Sequence, residues 1–398
     1  MPADRIGSAA TTMDAPAYGR ALLALWHLDP AIAYLNHGGY GATPREVLAA
    51  QERWRLELER EPVRFMQRRL PDALRAAAGE IAPFFGAEPQ DLVFVENATA
   101  GCNAVLRSLD LSPGDELLTT THAYPAVRNA MRHVAERSGA RLIEAPVPYP
   151  LHDAEAILGQ VARYITGRTR LLVLDLVTSP TAIVMPVARL ARAARAMGAK
   201  ILVDAAHAPG QVALDLPALE ADFVTGNLHK WLFAPKGTAF LWARREAQAG
   251  LHPTVISHGF GQGFAAEFDW VGTRDPSAWL AAPAALAFYR RMGDAAIRAR
   301  NHALANEAAA LLAASLGSEE GQAPALRAAM ATVRLPGTEG QDKAAALALN
   351  DRLYREHGVE VPVIPFAGGL WVRVSAQIYN EIADYRRLAA ALTAVLAR

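Results

Sequence analysis

Between residues 92 and 243, short apolar runs alternate with segments whose apolar residues fall at helical spacing. DLVFV, DELLTT, RLIEAPV, RLLVLDLV, KILVDAA, ADFVTG and TAFLWA read as strands; NATAGCNAVLRSL, AYPAVRNAMRHVAERSG and VARLARAARAMG read as helices between several of them. Most of the strand runs are apolar without clean alternation, the pattern of strands covered on both faces. Strands separated by helices predict a mostly parallel α/β sheet with helices on both sides. ADFVTG and TAFLWA follow one another without a helix, which predicts one antiparallel strand in that sheet.

After about residue 276 the pattern changes. WLAAPAALAFYRRMG and AAIRARNHALANEAAALLAAS read as two helices. MATVRLP, an Ala/Leu-rich helix, VEVPVIPF, GLWVRVS and a last helix, EIADYRRLAAALTAVLA, follow. This is an α+β pattern and predicts a second domain. The expected organisation is an N-terminal segment, 1–33, packing on the small domain, then a large domain, 34–276, and a small C-terminal domain, 277–398. A chain of 398 residues accommodates both.

Composition narrows the classes. Hydrophobic residues make up 52% and charged ones 20%, enough for a sizeable core. Forty acidic and 40 basic side chains cancel, so no overall charge draws the molecule to nucleic acid or to an anionic membrane. The one cysteine, Cys102, excludes an intramolecular disulfide and a thiolate metal cluster. No apolar run approaches the roughly 18 residues of a membrane span, and the N-terminus lacks a signal-peptide core. A cytoplasmic protein is the expectation.

Three features stand at the C-terminal ends of predicted strands, where open α/β sheets place their ligands. ENATAGCNAV opens a helix with free N–H groups and a hydroxyl, which is either an anion site or a plain cap by Asn97 or Thr99. In VDAAHAPGQ, Asp204 is either a cap or the partner of a buried cation, and His207 either a satisfied loop residue or a second contact. In TGNLHKWLFAPKG, Lys230 is either a snorkelling surface lysine or an amine nucleophile, activated by desolvation beside other cations. Together they offer an anion cup, a carboxylate and a lysine, the three parts that pyridoxal 5'-phosphate requires.

YLNHGGYGATP, ENATAG, HAYPAV, VTSPTAIVMPV, VDAAHAPG, TGNLHKWLFAPKG, WVGTRDPSAW and WVRVSAQIYN resemble, in order, the class V aminotransferase-type enzymes of pyridoxal-phosphate fold type I, and among them the isopenicillin N epimerase-like proteins. The resemblance implies a large domain with a mostly parallel seven-stranded sheet flanked by helices, plus a smaller α+β domain. It makes Lys230 the carrier of the cofactor as a Schiff base and the acid/base at Cα. Asp204 then holds the ring nitrogen protonated, His207 contacts the phenolic oxygen and Ser179 approaches it. Tyr124 stacks on the ring, ahead of His122 as a candidate. Ala98, Thr99, Asn227 and His229 resemble the phosphate cup. Gly272 and Thr273 resemble a loop that reaches a neighbouring subunit's phosphate, which implies a homodimer with shared sites. Arg373 matches the substrate-carboxylate fork, a role suited to a planar guanidinium, with Asn36 beside it. Lys236, next to the turn at Gly237, reads as structural.

Enzymes of this shape racemise, transaminate, cleave C–S bonds or release sulfur. Desulfurases that pass through a persulfide use a cysteine in the C-terminal domain, and this chain has none there. The expected activity is therefore an epimerase or C–S lyase acting at the Cα of an amino acid. A class V aminotransferase is the alternative, and a non-catalytic amino-acid-sensing module a further one. No metal site is expected. HGFGQGF lacks dinucleotide-binding spacing and opens no evident helix, so it reads as a mobile loop. Arg64, Phe65, Arg68 and Arg69 read as a segment near the active-site mouth.

Overall fold

A strand that is apolar on both sides needs cover on both sides, and seven of the apolar runs obtain it in one sheet. With a two-residue strand β1 (Ala33–Tyr34) preceding them, they are β2 (Leu92–Val95), β3 (Glu116–Thr120), β4 (Arg141–Ala145), β5 (Thr169–Asp175), β6 (Lys200–Asp204), β7 (Phe223–Asn227) and β8 (Ala239–Ala243). The structure, a computed structural model, describes residues 17–397. The sheet runs in the order β2-β8-β7-β6-β5-β3-β4. β8 is antiparallel to both its neighbours, and the other pairs are parallel, as the helix-free link before it predicts.

Alternate residues of each strand supply different cores. Leu172 and Leu174 of β5, with Ile201 and Val203 of β6, join one apolar cluster; Leu171, Val173 and Leu202 join another on the opposite face. The helices Ala98–Arg107 and Pro125–Ser138 cover the second face. Helix Val187–Ala196 covers the first. At the start of Ala98–Arg107, Asn97 Oδ1 accepts from the Ala100 N–H at 2.9 Å, so the cap reading holds for Asn97.

The C-terminal pattern forms β9 (Met330–Arg334), β10 (Val359–Glu360), β11 (Val363–Phe366) and β12 (Gly369–Ser375). β11, β12 and β9 make an antiparallel three-stranded sheet, while β10 pairs with β1 in parallel. VEVPVIPF, read above as one run, is two strands. Pro362 lacks an N–H, and the chain changes partners across it. Leu304, Leu312, Val333, Val372, Tyr385 and Leu392 form the core here, together with Ala33 and Leu35 from the N-terminal side. Helix Asp294–Leu316 spans both units, with Ile297 in the large core and Leu304 onward in the small one.

Of the N-terminal segment expected to pack on the small domain, residues 1–16 lie outside the described residues. Gly19 N–H donates to the Ile378 carbonyl at 2.8 Å and Arg20 N–H to Glu381 at 2.7 Å, while Trp26 is buried against Phe233, Phe288 and Tyr379. HGFGQGF does open a helix, Phe264–Asp269, contrary to the expectation. Phe264 and Phe268 are buried and hold it down; the segment is too short for its periodicity to show in sequence.

Candidate active site

Parallel strands that end together leave their last residues at one edge. β5, β6 and β7 end in Asp175, Asp204 and Asn227, and the turn after β7 brings Lys230 beside them. These residues line a cavity of about 490 Å³ with Ala98, Thr99, Tyr124, Ser179, His207, His229 and Lys236.

Close backbone packing fixes Lys230. Gly41 (φ +70°) lies against the His229 carbonyl and Lys230 Cα, and Gly210 (φ +83°) against the Trp231 carbonyl; a Cβ on either would collide. His37 Nε2–H donates to the Lys230 carbonyl at 3.0 Å, and the Tyr379 hydroxyl donates to His37 Nδ1 at 2.7 Å. The carbonyl sets that tautomer, and burial keeps the ring neutral by lowering its pKa to about 3.

The Lys230 amine donates to His207 Nε2 at 3.0 Å. Burial first, and then the Arg373 charge, lower its pKa to about 7 against the opposing pull of Asp204 and Asp175. Lys230 opens on the cavity, but too much protein surrounds its ammonium for full hydration. A large share of it is therefore free amine near neutrality. Burial, then Lys230, Arg373 and His229, hold His207 well below the ordinary histidine value. Its Nδ1 is buried without a partner.

Asp204 Oδ1 accepts from the Ala206 N–H at 2.9 Å. Burial raises its pKa, with that N–H and Lys230 opposing. At the head of Ala98–Arg107, Asn227 Oδ1 accepts the Ala98 N–H at 2.8 Å. Ala98 and Ala100 are thus engaged, which leaves Thr99, whose N–H has no acceptor within the first helical turn. His229 Nδ1–H donates to the Thr238 carbonyl at 2.9 Å, and burial lowers its pKa to about 4, so its Nε2 carries a lone pair.

Arg373 lies just behind this wall. Its Nη1 donates to the Ser179 carbonyl and reaches Ser179 Oγ at 3.3 Å, while its Nε is buried and unpaired. Burial lowers its pKa to about 10, with Tyr124 opposing. No carboxylate among the described residues forms an ion pair with it. A buried cation without an anion is costly, and a ligand carboxylate would relieve that cost.

Other expected residues stand elsewhere. Asn36 is not among the cavity-lining residues; its Nδ2 donates to Glu360 Oε1 at 3.0 Å. Gly272 and Thr273 do not line this chain's own cavity, and the next residue, Arg274, pairs with Glu96 at its rim. Arg64 and Arg68 line a separate open groove with Glu61, and Arg69 pairs with Glu57. His122 is buried in a closed network and is absent from the cavity lining. Sequence reading missed three residues. His37 fixes the Lys230 turn, Lys236 lines the cavity and touches Thr43 at 3.4 Å, and Asp175 ends β5 as Asp204 ends β6. The signal for Asp175 was partial, since it interrupts its apolar run, RLLVLDLV, rather than closing it as Asp204 closes the next.

The set fits pyridoxal 5'-phosphate. An open helix start at Thr99 suits the phosphate, the buried Asp204 carboxylate a ring nitrogen, Lys230 an aldehyde, and the unpaired His207 Nδ1 a further polar atom.

Comparison with known proteins gives the same frame. The family described as Aminotransferase class-V matches residues 33–388. A probable chloroplastic L-cysteine desulfhydrase of Arabidopsis thaliana is 34% identical, over 93% of this chain and 84% of its own length. The isopenicillin N epimerase of Streptomyces clavuligerus is also 34% identical, over 92% and 96%. In fold, the chain is similar to the cysteine desulfurase of Thermococcus onnurineus NA1, with a TM-score of 0.79 at 19% identity over 96% of this chain and 98% of that one. It is also similar to the cystine C–S lyase C-DES, at 0.76 and 22% over 91% and 97%.

Proposed function

The chain belongs to the class V aminotransferase family and is a pyridoxal-phosphate-dependent enzyme of fold type I, and from that premise we propose that it removes the Cα proton of an amino acid and goes on to C–S cleavage. The observation that carries this reading is the Lys230 amine, buried, with its pKa lowered to about 7 and facing the same cavity as Asp204.

When bound, pyridoxal 5'-phosphate supplies an aldehyde for amines and a ring that withdraws electrons from Cα. Lys230 would hold it, and its Nζ would accept and return the Cα proton. His207 Nε2 would keep that amine oriented. Asp204 would keep a proton on the ring nitrogen. Thr99, Asn227 and His229 would bind the phosphate end. Arg373 binds the substrate carboxylate and turns the Cα–H bond toward Lys230, with Ser179 steadying the guanidinium.

The cysteine inventory separates C–S cleavage from persulfide-forming desulfuration. Cys102 is the chain's single thiol and is fully buried, so sulfur has no persulfide carrier and leaves directly as sulfide. Epimerisation is the second reading. Tyr124, 41% exposed on the cavity wall and close enough to Arg373 to influence it, offers a phenol for a second face of Cα.

The test is deuterium incorporation at Cα with a panel of L- and D-amino acids, together with sulfide and keto-acid release. Exchange with sulfide from L-cysteine supports the lyase reading. Exchange with inversion and no sulfide supports the epimerase, and no exchange with any amino acid rejects both. The proposal extends to a homodimer in the cytoplasm. The position of Gly272 and Thr273 off their own cavity supports shared sites, and a fully active monomer by light scattering would contradict them. Among the described residues no helix is long and apolar enough to cross a membrane.

A further inference from the structure

The roles above leave one buried carboxyl unused. β5 and β6 run in parallel with Asp175 opposite Asp204, so the two side chains leave their strands on the same face, side by side. They are 6% and 3% exposed and open on the same cavity. Lys230 faces the pair from the turn after β7, with His207 on its amine; the Cys102 thiol faces it from the helix behind, and Tyr124 lines the same cavity. Two carboxylates in a poorly hydrated edge do not both ionise when the nearby amine is itself partly neutral. Burial and the Asp204 charge push Asp175 well up. Asp204 has the stronger claim on the negative charge, because its carboxylate accepts the Ala206 N–H at 2.9 Å, a bond that favours the ionised form.

We propose that Asp175 holds the proton of this pair at neutral pH, so that the strand ends present a single negative charge, on Asp204. Asp175 then acts through Lys230. A second charge here would draw a proton onto Lys230 and remove the free amine, so the proton on Asp175 keeps Lys230 reactive.

The test uses the full chain without cofactor and needs no turnover, so its outcome is independent of the reaction proposed above. Competitive acetylation across pH, read at Lys230 by peptide mass spectrometry, gives the pKa of its amine. D204N removes a charge and should lower that pKa by about one unit or more; D175N removes none and should move it by less than about 0.3 unit. An equal fall in both variants overturns the proposal. Infrared spectra of wild type carrying ¹³C-carboxyl aspartate supply a second measurement, should D175N fail to fold. A protonated-carboxyl band should persist at about pH 8, where Asp269, raised by burial to about 6, is ionised. Absence of that band also overturns the proposal.

Discussion

Where the large sheet meets the C-terminal strands, His122 Nε2–H donates to the Val147 carbonyl at 3.0 Å, and its Nδ1 accepts from the Thr181 hydroxyl at 2.7 Å. Thr178 then donates to Thr181, and the Ile183 N–H donates to Thr178. Nearby, Tyr149, Thr332 and Gln322 form a second run of hydrogen bonds, with Phe366 packed on both His122 and Tyr149. His207 is equally buried, yet only one of its ring nitrogens has a partner. Both histidines are neutral, and burial is the main cause in each. The contrast separates two uses of buried polarity. A closed chain of partners holds the fold together, while an open one gives up stability and keeps its groups free for a ligand.

The largest effect that sharpens this contrast is at Lys230. Lys230→Ala should abolish borohydride-trapped cofactor at that position and lower kcat by at least about 10⁴-fold, because both the attachment point and the proton carrier are lost. Its apo stability should hold or rise, since a poorly hydrated amine is removed. Cofactor trapped on Lys236 in wild type, by peptide mapping, would reject the assignment.

Next comes Arg373. Arg373→Lys cannot reproduce a planar two-point contact, so kcat/KM should fall by about 2–4 kcal/mol, or roughly 30- to 1000-fold. The fall should appear in kcat as well as KM, because a misdirected Cα–H bond slows the chemistry itself. Cofactor content should stay unchanged. Wild-type kinetics in this variant would move the carboxylate site elsewhere.

The two histidines themselves supply a paired test. His122→Phe leaves the Val147 carbonyl and Thr181 hydroxyl short of a partner and should cost about 2–4 kcal/mol of stability, with activity per folded molecule within about threefold. His207→Phe removes an unpaired buried nitrogen and should leave stability nearly unchanged, while slowing turnover at least about tenfold. Denaturant melts and kinetics on the same samples decide it, and equal stability losses would break the distinction between closed and open networks.

Much of the sheet was legible because uninterrupted apolar runs have one economical solution, burial between helices. The cavity was legible where a strand end carried an unusual residue, as at Asp204 and Lys230. What sequence concealed were contacts made across the chain. His37 and the Lys230 carbonyl are 193 positions apart, and nothing local in NHGGYG says which carbonyl its ring will meet. Asn36 looked like a cavity residue because of its neighbours, but its side chain turns to Glu360 on β10, a strand that lies beside β1 only in three dimensions. Asp175 was hidden differently. Its run continues through Leu176 and Val177, so neither the strand end at Asp175 nor the register that sets it beside Asp204 was visible.

A last expected effect concerns pH. The folded Lys230 amine has its pKa lowered to about 7, while an unfolded lysine titrates near 10.4. Between those values the unfolded chain binds a proton that the folded chain does not, so this group makes folding more favourable as pH rises through the window. Below about 7 both states are protonated and the folded chain bears the full cost of a poorly hydrated ammonium. Lys230→Met carries no such group. The apo variant should therefore be more stable than apo wild type at neutral and lower pH, and the gap should close as pH rises toward 10. Urea melts of the two proteins across that range measure it. A gap that stays constant with pH would mean that the Lys230 ammonium is as well hydrated in the folded chain as in water, and the open cavity would then lose its main electrostatic feature.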